Sequence, residues 1–282
     1  MTTAADTTLT PAELDAYLAR IGRPRPATPD LDALRALHLA HVTSFTWEAI
    51  DAFMGWPIDA SPRSAFAKMV GGGPAFRRGG WCHEMNGLFG AALSALGFRV
   101  TRLCGGVRRV DFGDLAVGNH LTVQVDLDEP WLAEVGLGDA LFAPIPMRPG
   151  TVVQRGRAYA ITEEDGGWLR FHNHAHGAAP SFDFRPGYSD EARIAGAHTF
   201  LITDSSSPFI SNLVIQRHAP GRTEGIFNQT RRILTDSGVE ERRITGADEF
   251  ARLLVEVFQL DVPDSDAIWA RVTETERNWL AA

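Results

Sequence analysis

Apolar residues recur at helical spacing up to about residue 97 and at strand spacing from about residue 98, so the chain must build two kinds of core. Met85, Leu88, Phe89, Ala92, Leu93 and Leu96 trace one face of a helix that Gly97 is placed to cap. Beyond it, Phe98–Cys104, His120–Asp126, Trp131–Leu137, Arg157–Thr162 and Trp168–His172 read as strands separated by Gly, Asp and Pro. A further strand pair, Phe200–Thr203 and Asn212–Gln216, brackets the turn Ser205-Ser206-Ser207-Pro208. The tail returns to helix through Phe250, Leu253, Leu254, Val257 and Phe258. Upstream, residues 10–55 read as helical. Thr10-Pro11-Ala12-Glu13 has the form of a capping box, and Asp30 or Asp32 is placed to cap a second helix. Residues 70–80 are too rich in glycine for regular structure and read as loop.

A chain of 282 residues has room for two or three packed units. With 44% hydrophobic and 22% charged residues it has the composition of a soluble globular protein. No apolar run approaches the roughly 18–20 residues of a membrane span. The first residues lack the charged and apolar regions of a signal peptide, so a cytoplasmic location is expected. A formal charge of −8 argues against nucleic acid as a partner, because phosphate binding needs clustered basic residues. The two cysteines, Cys82 and Cys104, are expected as free thiols, and no Cys-x-x-Cys zinc pattern is present.

The segment Arg78-Gly79-Gly80-Trp81-Cys82-His83-Glu84 puts a thiol at the start of the helix that runs to Leu96. There the positive end of the helix dipole favours thiolate over thiol. The preceding glycines leave room for a substrate near the backbone, although a buried structural cysteine fits the local pattern equally well. A nucleophilic cysteine needs a base and a group that orients the base. His120 opens a strand whose polar residues, His120, Thr122, Gln124 and Asp126, share one face. Glu134 lies in an otherwise apolar run, where a carboxylate is costly unless paired.

Taken together, Arg78-Gly-Gly-Trp-Cys82-His-Glu84-Met-Asn86-Gly-Leu-Phe resembles the nucleophile motif of the arylamine N-acetyltransferases. Gly118-Asn119-His120-Leu121 and Trp131-Leu-Ala-Glu134-Val-Gly-Leu-Gly resemble the family's histidine and acid segments, in the same order. His41–Ile58 upstream and Ser207-Pro208-Phe209 with Asn212-Leu213-Val214 downstream extend the resemblance over nearly the whole chain. It implies an α+β fold with a cysteine-protease-like core. The parts would be a helical bundle over residues 1–97, a β-barrel-like middle over 98–205 and an α/β lid over 206–282. It also implies ping-pong transfer of an acetyl group from acetyl-CoA to an arylamine, hydrazine or related small amine. Cys82 would be the nucleophile, His120 the base and Glu134 the orienting acid, with the Cys82 N–H as oxyanion donor and no metal. Trp47, Val107 and Leu137 would line the acceptor pocket, Phe209 would lie near the coenzyme entrance, and Gly118 would join the substrate-binding group. Arg78 and Glu48 would form a structural ion pair.

The sequence departs from the family pattern at informative places. Aspartate is usual where Glu134 stands, tyrosine or phenylalanine where His83 stands, and proline and phenylalanine before Glu48. The changed aromatic wall keeps two alternatives open: an amide synthase with a bulkier acyl donor, or a Cys-His-Glu thioesterase or hydrolase. A plain two-residue turn between the His120 and Glu134 strands would put the two side chains on opposite faces, so an odd-length turn or bulge is required, with Asp126 as the fallback acid. His172, His174 and His176, at period two, would share a strand face that could bind a metal, but they read more simply as a solvated loop. Cys104 reads as core.

Overall fold

A computed structural model of the chain describes residues 8–73 and 77–281. The reading of the first six residues and the part of the 70–80 loop at 74–76 lie outside the described residues. The capping box forms as expected: Thr10 Oγ1 accepts from Glu13 N at 3.3 Å, and Glu13 Oε2 accepts from Thr10 N at 2.8 Å. It starts α1 (Pro11–Arg20). Asp30, not Asp32, caps α2 (Leu31–Ser44), accepting from Ala33 N at 2.9 Å. After β1 (Trp47–Glu48), α3 (Ile50–Met54) and α4 (Pro62–Met69), the loop leads into α5 (Cys82–Ala95). That helix ends at Leu96 with Gly97 at φ 90°, the left-handed conformation a glycine adopts without strain.

Strands β2 (Arg99–Val107) and β3 (His120–Asp126) flank a short excursion containing α6 (Arg109–Phe112). They are followed by β4 (Pro130–Leu132), β5 (Ile145–Pro146), β6 (Gly150–Gln154), β7 (Arg157–Glu164), β8 (Trp168–His172) and β9 (Ser181–Phe184). These form one antiparallel eight-stranded sheet in the order β5-β4-β3-β2-β9-β8-β7-β6, which curls into a nearly closed barrel. Its interior is apolar, with Leu103, Tyr159, Phe171, Phe182 and Phe184 at the centre. On the other face of β3, Val123 and Val125 pack against Met85, Leu88 and Phe89 of α5. The architecture is therefore α+β, with the helix that carries the thiol lying directly on the strand that carries His120.

The C-terminal part contains α7 (Glu191–Thr203), α8 (Pro208–Ser211), strands β10 (Val214–Ala219), β11 (Arg222–Phe227), β12 (Thr230–Thr235) and β13 (Gly238–Arg243), then α9 (Ala247–Arg252) and α10 (Ser265–Ala281). The four strands form a second sheet whose fifth, edge member is β1, paired through Trp47 with Gln216 and Glu48 with Ile215. A segment from the N-terminal helices thus belongs to the C-terminal sheet. Ile50 and Phe53 of α3 likewise share a core cluster with Ile215, Phe250, Phe258 and Val272.

Three local readings are corrected. Phe200–Thr203 is the last turn of α7, not a strand. Asp190 caps that helix by accepting from Arg193 N at 3.0 Å, and Ile194, His198 and Leu201 bury one helical face while Phe200 points outward. The run Phe-Leu-Ile-Thr has β propensity, which the cap and the tertiary face override. Trp131–Leu137 is a strand only to Leu132, with one further ladder hydrogen bond at Ala133, beyond which Val135 N turns to Asn86 of α5. The histidine run does not share a face: His172 meets Thr162 Oγ1 at 2.9 Å, His174 is buried on the Asp139 carbonyl at 2.9 Å, and His176 is a separate loop residue. Among the described residues no His, Cys, Asp and Glu group could hold a metal ion.

Candidate active site

The geometry of the site begins with a turn of three residues. Asp126 pairs with Pro130 across Leu127, Asp128 and Glu129, so residues of even number face one another on β3 and β4. The odd length removes the parity conflict. Gln124 opposes Leu132, the ladder continues with Ala133 N donating to Val123 O at 2.8 Å, and Glu134 emerges on the His120 face. His120 Nε2 lies 3.0 Å from Glu134 Oε2, with both side chains buried. Asp126 remains at the far end of the strand, accepting from Gln124 Nε2 at 2.7 Å, and takes no part.

Cys82 is the first residue of α5 and is 4% exposed. The first N–H of this helix with a helical carbonyl partner is that of Met85, to Trp81 O at 2.8 Å, so the Cys82 N–H lies ahead of the ladder. Burial pushes the thiol pKa up. The imidazoles of His83 and His120 outweigh that and bring it down to about 6. For His120, burial disfavours the imidazolium, but the Glu134 carboxylate and a hydrogen bond with Cys82 overcome it and raise the pKa to about 10. Burial alone would raise the Glu134 pKa; His120 pulls it below the usual value. The three groups therefore favour thiolate, imidazolium and carboxylate together. With Nε2 occupied by Glu134, Nδ1 is the His120 nitrogen left for the sulfur.

Asn86, one helical turn after Cys82, was quoted in the motif but given no role by the sequence. Its Nδ2 donates to Glu134 Oε1 at 3.0 Å and to Leu121 O at 2.7 Å, and its Oδ1 accepts from Val135 N at 3.0 Å. One amide thereby ties the helix that begins at Cys82 to β3 and to Glu134. Its spacing of four from Cys82 was the available signal. Gly136 completes the support: its N–H donates to Glu134 Oε1 at 2.5 Å. A Cβ there would fall 2.9 Å from Cys82 Cα and 2.2 Å from Asn86 Nδ2, so only glycine fits.

Trp47 is buried, donates from Nε1 to Gly136 O at 2.7 Å, and has its ring centroid 6.0 Å from that of Phe209. Phe209 also meets Trp81 edge-on at 5.3 Å. These two expected binding residues thus form an aromatic wall beside the acid loop. Gly118 meets the site through its carbonyl, which lies 3.2 Å from His83 Nε2, and the next carbonyl, of Asn119, lies 3.9 Å from Cys82 Sγ. At φ 101°, with Arg193 O where a Cβ would clash, its position requires glycine. Val107 and Leu137 are half-buried and pack on the apolar cluster inside the barrel. Cys104 is buried with Val117 and Leu121, and burial pushes its pKa up to about 11.

Behind the thiol, Arg78 donates to Glu48 Oε1 from Nε at 3.1 Å and from Nη2 at 2.9 Å, and also pairs with Asp51. Lys68, the sole lysine of the chain, joins this group. Its Nζ lies 2.7 Å from Asp51, 3.0 Å from Glu84 and 3.3 Å from Glu48. Glu84 in turn accepts from Trp81 N at 3.2 Å, so this cluster braces the start of α5.

Comparison with known proteins places this geometry among relatives. A family model described as N-acetyltransferase matches residues 30–267. The arylamine N-acetyltransferase of Mycolicibacterium smegmatis is 31% identical over 270 residues, covering 86% of this chain and 97% of that protein. The proansamycin X synthase of Amycolatopsis mediterranei is 28% identical over 265 residues, covering 88% of this chain and 98% of the synthase. The structure of Mycobacterium marinum arylamine N-acetyltransferase in complex with CoA superposes with a TM-score of 0.82 at 26% identity, covering 93% of this chain and 99% of that one.

Proposed function

Because the chain belongs to the arylamine N-acetyltransferase family, we propose that it transfers an acetyl group from acetyl-CoA, through a thioester on Cys82, to an arylamine, hydrazine or related small amine. The observation that carries this reading is the buried contact of His120 with Glu134 at 3.0 Å beside a thiol whose pKa is lowered to about 6. The Cys82 thiolate attacks the thioester carbonyl, with the Cys82 N–H as oxyanion donor, and coenzyme A leaves with the proton of an imidazolium beside the sulfur. The amine then attacks the acyl-enzyme and gives up a proton to an imidazole beside the sulfur; in its minimal form the scheme uses His120 for this. Glu134 fixes the ring and balances its charge. The relative with a CoA complex supports the donor, and the relatives named as arylamine N-acetyltransferases support the acceptor class.

The test is intact mass after incubation with acetyl-CoA alone, beside a Cys82→Ala control. A Cys82-dependent gain of one acetyl group supports the scheme. Neither adduct nor released coenzyme A sinks acetyl-CoA as donor, and release without a lasting adduct points to hydrolysis. A second reading, an amide synthase with a bulkier acyl donor, has one observation in its favour. A relative that matches most of the chain is named as a synthase, not an acetyltransferase. Failure with acetyl-CoA combined with labelling by a longer acyl thioester would select it.

A further inference from the structure

Neighbouring residues on a helix project about 100° apart, so the residue after a nucleophile ordinarily turns away from the nucleophilic atom. His83 does not. Its Nδ1 lies 3.7 Å from Cys82 Sγ, its Nε2 lies 3.2 Å from Gly118 O, and the ring is fully buried. A carbonyl oxygen only accepts, so Nε2 carries a hydrogen in every state that keeps this contact. Nδ1 then bears a lone pair in the neutral ring and a hydrogen only in the imidazolium. A thiol donates to that lone pair, and a thioester sulfur makes no demand on it. A thiolate demands a donor. The Gly118 carbonyl thus couples the charge of His83 to that of the sulfur.

The groups that face His83 come from three parts of the chain. The imidazole faces Cys82 and Trp81 at the start of α5, the Gly118 carbonyl from the β2–β3 connection, and His198 of α7, which meets it edge-on at 5.4 Å. Burial, then the charge of His83, brings the His198 pKa down to about 4, with Asp59 acting on it in the opposite sense. His120, in contrast, is held by Glu134 at 3.0 Å. One imidazole is locked in an ion pair; among the described residues, the other has the sulfur and a neutral carbonyl as its hydrogen-bond partners.

We propose that His83 is a second catalytic imidazole, which binds a proton at Nδ1 when Cys82 is a thiolate and releases it when Cys82 becomes acylated. The proposal rests on the acyl-enzyme reading above. In acylation the bond from Sγ to the acyl carbon forms, the donor's acyl–sulfur bond breaks, and the Nδ1 proton passes to the departing thiolate. In deacylation the nitrogen–carbon bond forms, the Sγ–carbon electron pair returns to Sγ, and the proton lost by the amine passes to Nδ1. His83 here takes over the proton transfer that the minimal scheme gives to His120, and His120 keeps its own proton, as the counter-charge of Glu134 and of the thiolate when it is present. The charge balance closes with no co-reactant.

The test is the pH dependence of Cys82 alkylation by iodoacetamide, followed by intact mass, in the wild type, His83→Phe and His83→Asn. Alkylation needs no acyl donor, so it reads the His83–Cys82 pair even if acetyl-CoA proves not to be the donor, which the mass experiment above reports separately. The His83→Phe profile moves up by about one pH unit, so that alkylation slows about fivefold near pH 6 and about tenfold near pH 5, while rates above about pH 9 agree. Superimposable profiles overturn the proposal. If near-UV circular dichroism shows His83→Phe unfolded, His83→Asn carries the test, since its amide can still hydrogen-bond the sulfur but cannot take up a proton. Acetyl-enzyme loaded from acetyl-CoA or p-nitrophenyl acetate is then mixed with an arylhydrazine near pH 7. Discharge from His83→Asn is about tenfold or more slower than from the wild type. Discharge at the wild-type rate overturns the proton transfer.

Discussion

At Glu134 one carboxylate does two jobs: Oε2 meets the imidazole at 3.0 Å and Oε1 accepts from Asn86 and from Gly136 N–H. Glu134→Gln keeps the shape but removes the charge that holds the His120 proton. Its kcat/KM is expected to fall by about two orders of magnitude or more, while Cys82→Ala abolishes turnover altogether. Steady-state kinetics with an arylamine acceptor checks this, and wild-type kcat/KM in Glu134→Gln would remove the acid from the scheme. Glu134→Asp, which restores the residue usual in the family, does not rescue fully here. The side chain would be one methylene too short to reach Nε2 from a backbone already fixed by Asn86 and Gly136. Cys82 and Glu134 were legible because each breaks a local rule, a thiol at a glycine-led helix start and a charge in an apolar run. Asn86 and Gly136 were not: an asparagine and a glycine are unremarkable in sequence, and their roles exist only once α5 lies against the acid loop.

At the scale of elements, the β3–β4 turn and the start of α5 decide whether the site exists. Deleting the exposed Asp128 leaves a two-residue turn and inverts the parity of everything beyond it, carrying Glu134 off the His120 face. This variant is expected to lose Cys82 acetylation by acetyl-CoA in the intact-mass assay, and acetylation at the wild-type rate would show that the turn does not set the register. Lys68 matters in another way. Three buried or nearly buried carboxylates, Glu48, Asp51 and Glu84, share Lys68 and Arg78, and removing one cation leaves negative charge without a partner. Burial, relieved by Lys68, already holds the Glu84 pKa at about 7. Lys68→Met is expected to cost on the order of 3–5 kcal/mol in urea unfolding, and an unchanged midpoint would contradict it. No role for the single lysine is legible in the sequence, because the three carboxylates come from different segments. The strand reading of Phe200–Thr203 failed for a related reason. Local propensity favoured β, while the Asp190 cap and the buried face of α7 favoured helix.

Across the whole molecule, five histidines outside the proposed chemistry are buried: His38, His41, His174, His198 and His218. Burial lowers all five pKa values, to about 4 for His38 and His198. As pH falls below the ordinary value near 6.5, the unfolded chain takes up protons that the folded one refuses. Their stabilisation is thus complete above about pH 6.5 and is lost as pH falls toward the folded values. The slope is on the order of 1.4 kcal/mol per pH unit for each histidine. His120 has the opposite sign, but its contribution changes only as pH rises from about 6.5 through about 10, outside this window; Glu84, raised to about 7, opposes the histidines within it but offsets only one of them. The melting temperature is expected to fall steeply between about pH 6.5 and about pH 5, and a flat profile there would refute the assignment.

By itself the sequence determined the helix-then-strand order, the capping residues and the three chemical groups, because periodicity, capping and the cost of a lone buried charge are properties of short segments. The tertiary structure decided what those segments do to one another. It put β1 into the sheet of the C-terminal part, chose the turn length that brings Glu134 to His120, and closed Gly136 against Cys82. It also turned His83 onto the sulfur. Each is a contact between segments whose separation in sequence carries no distance information, and only the packing of α5 on β3 and the acid loop supplies it.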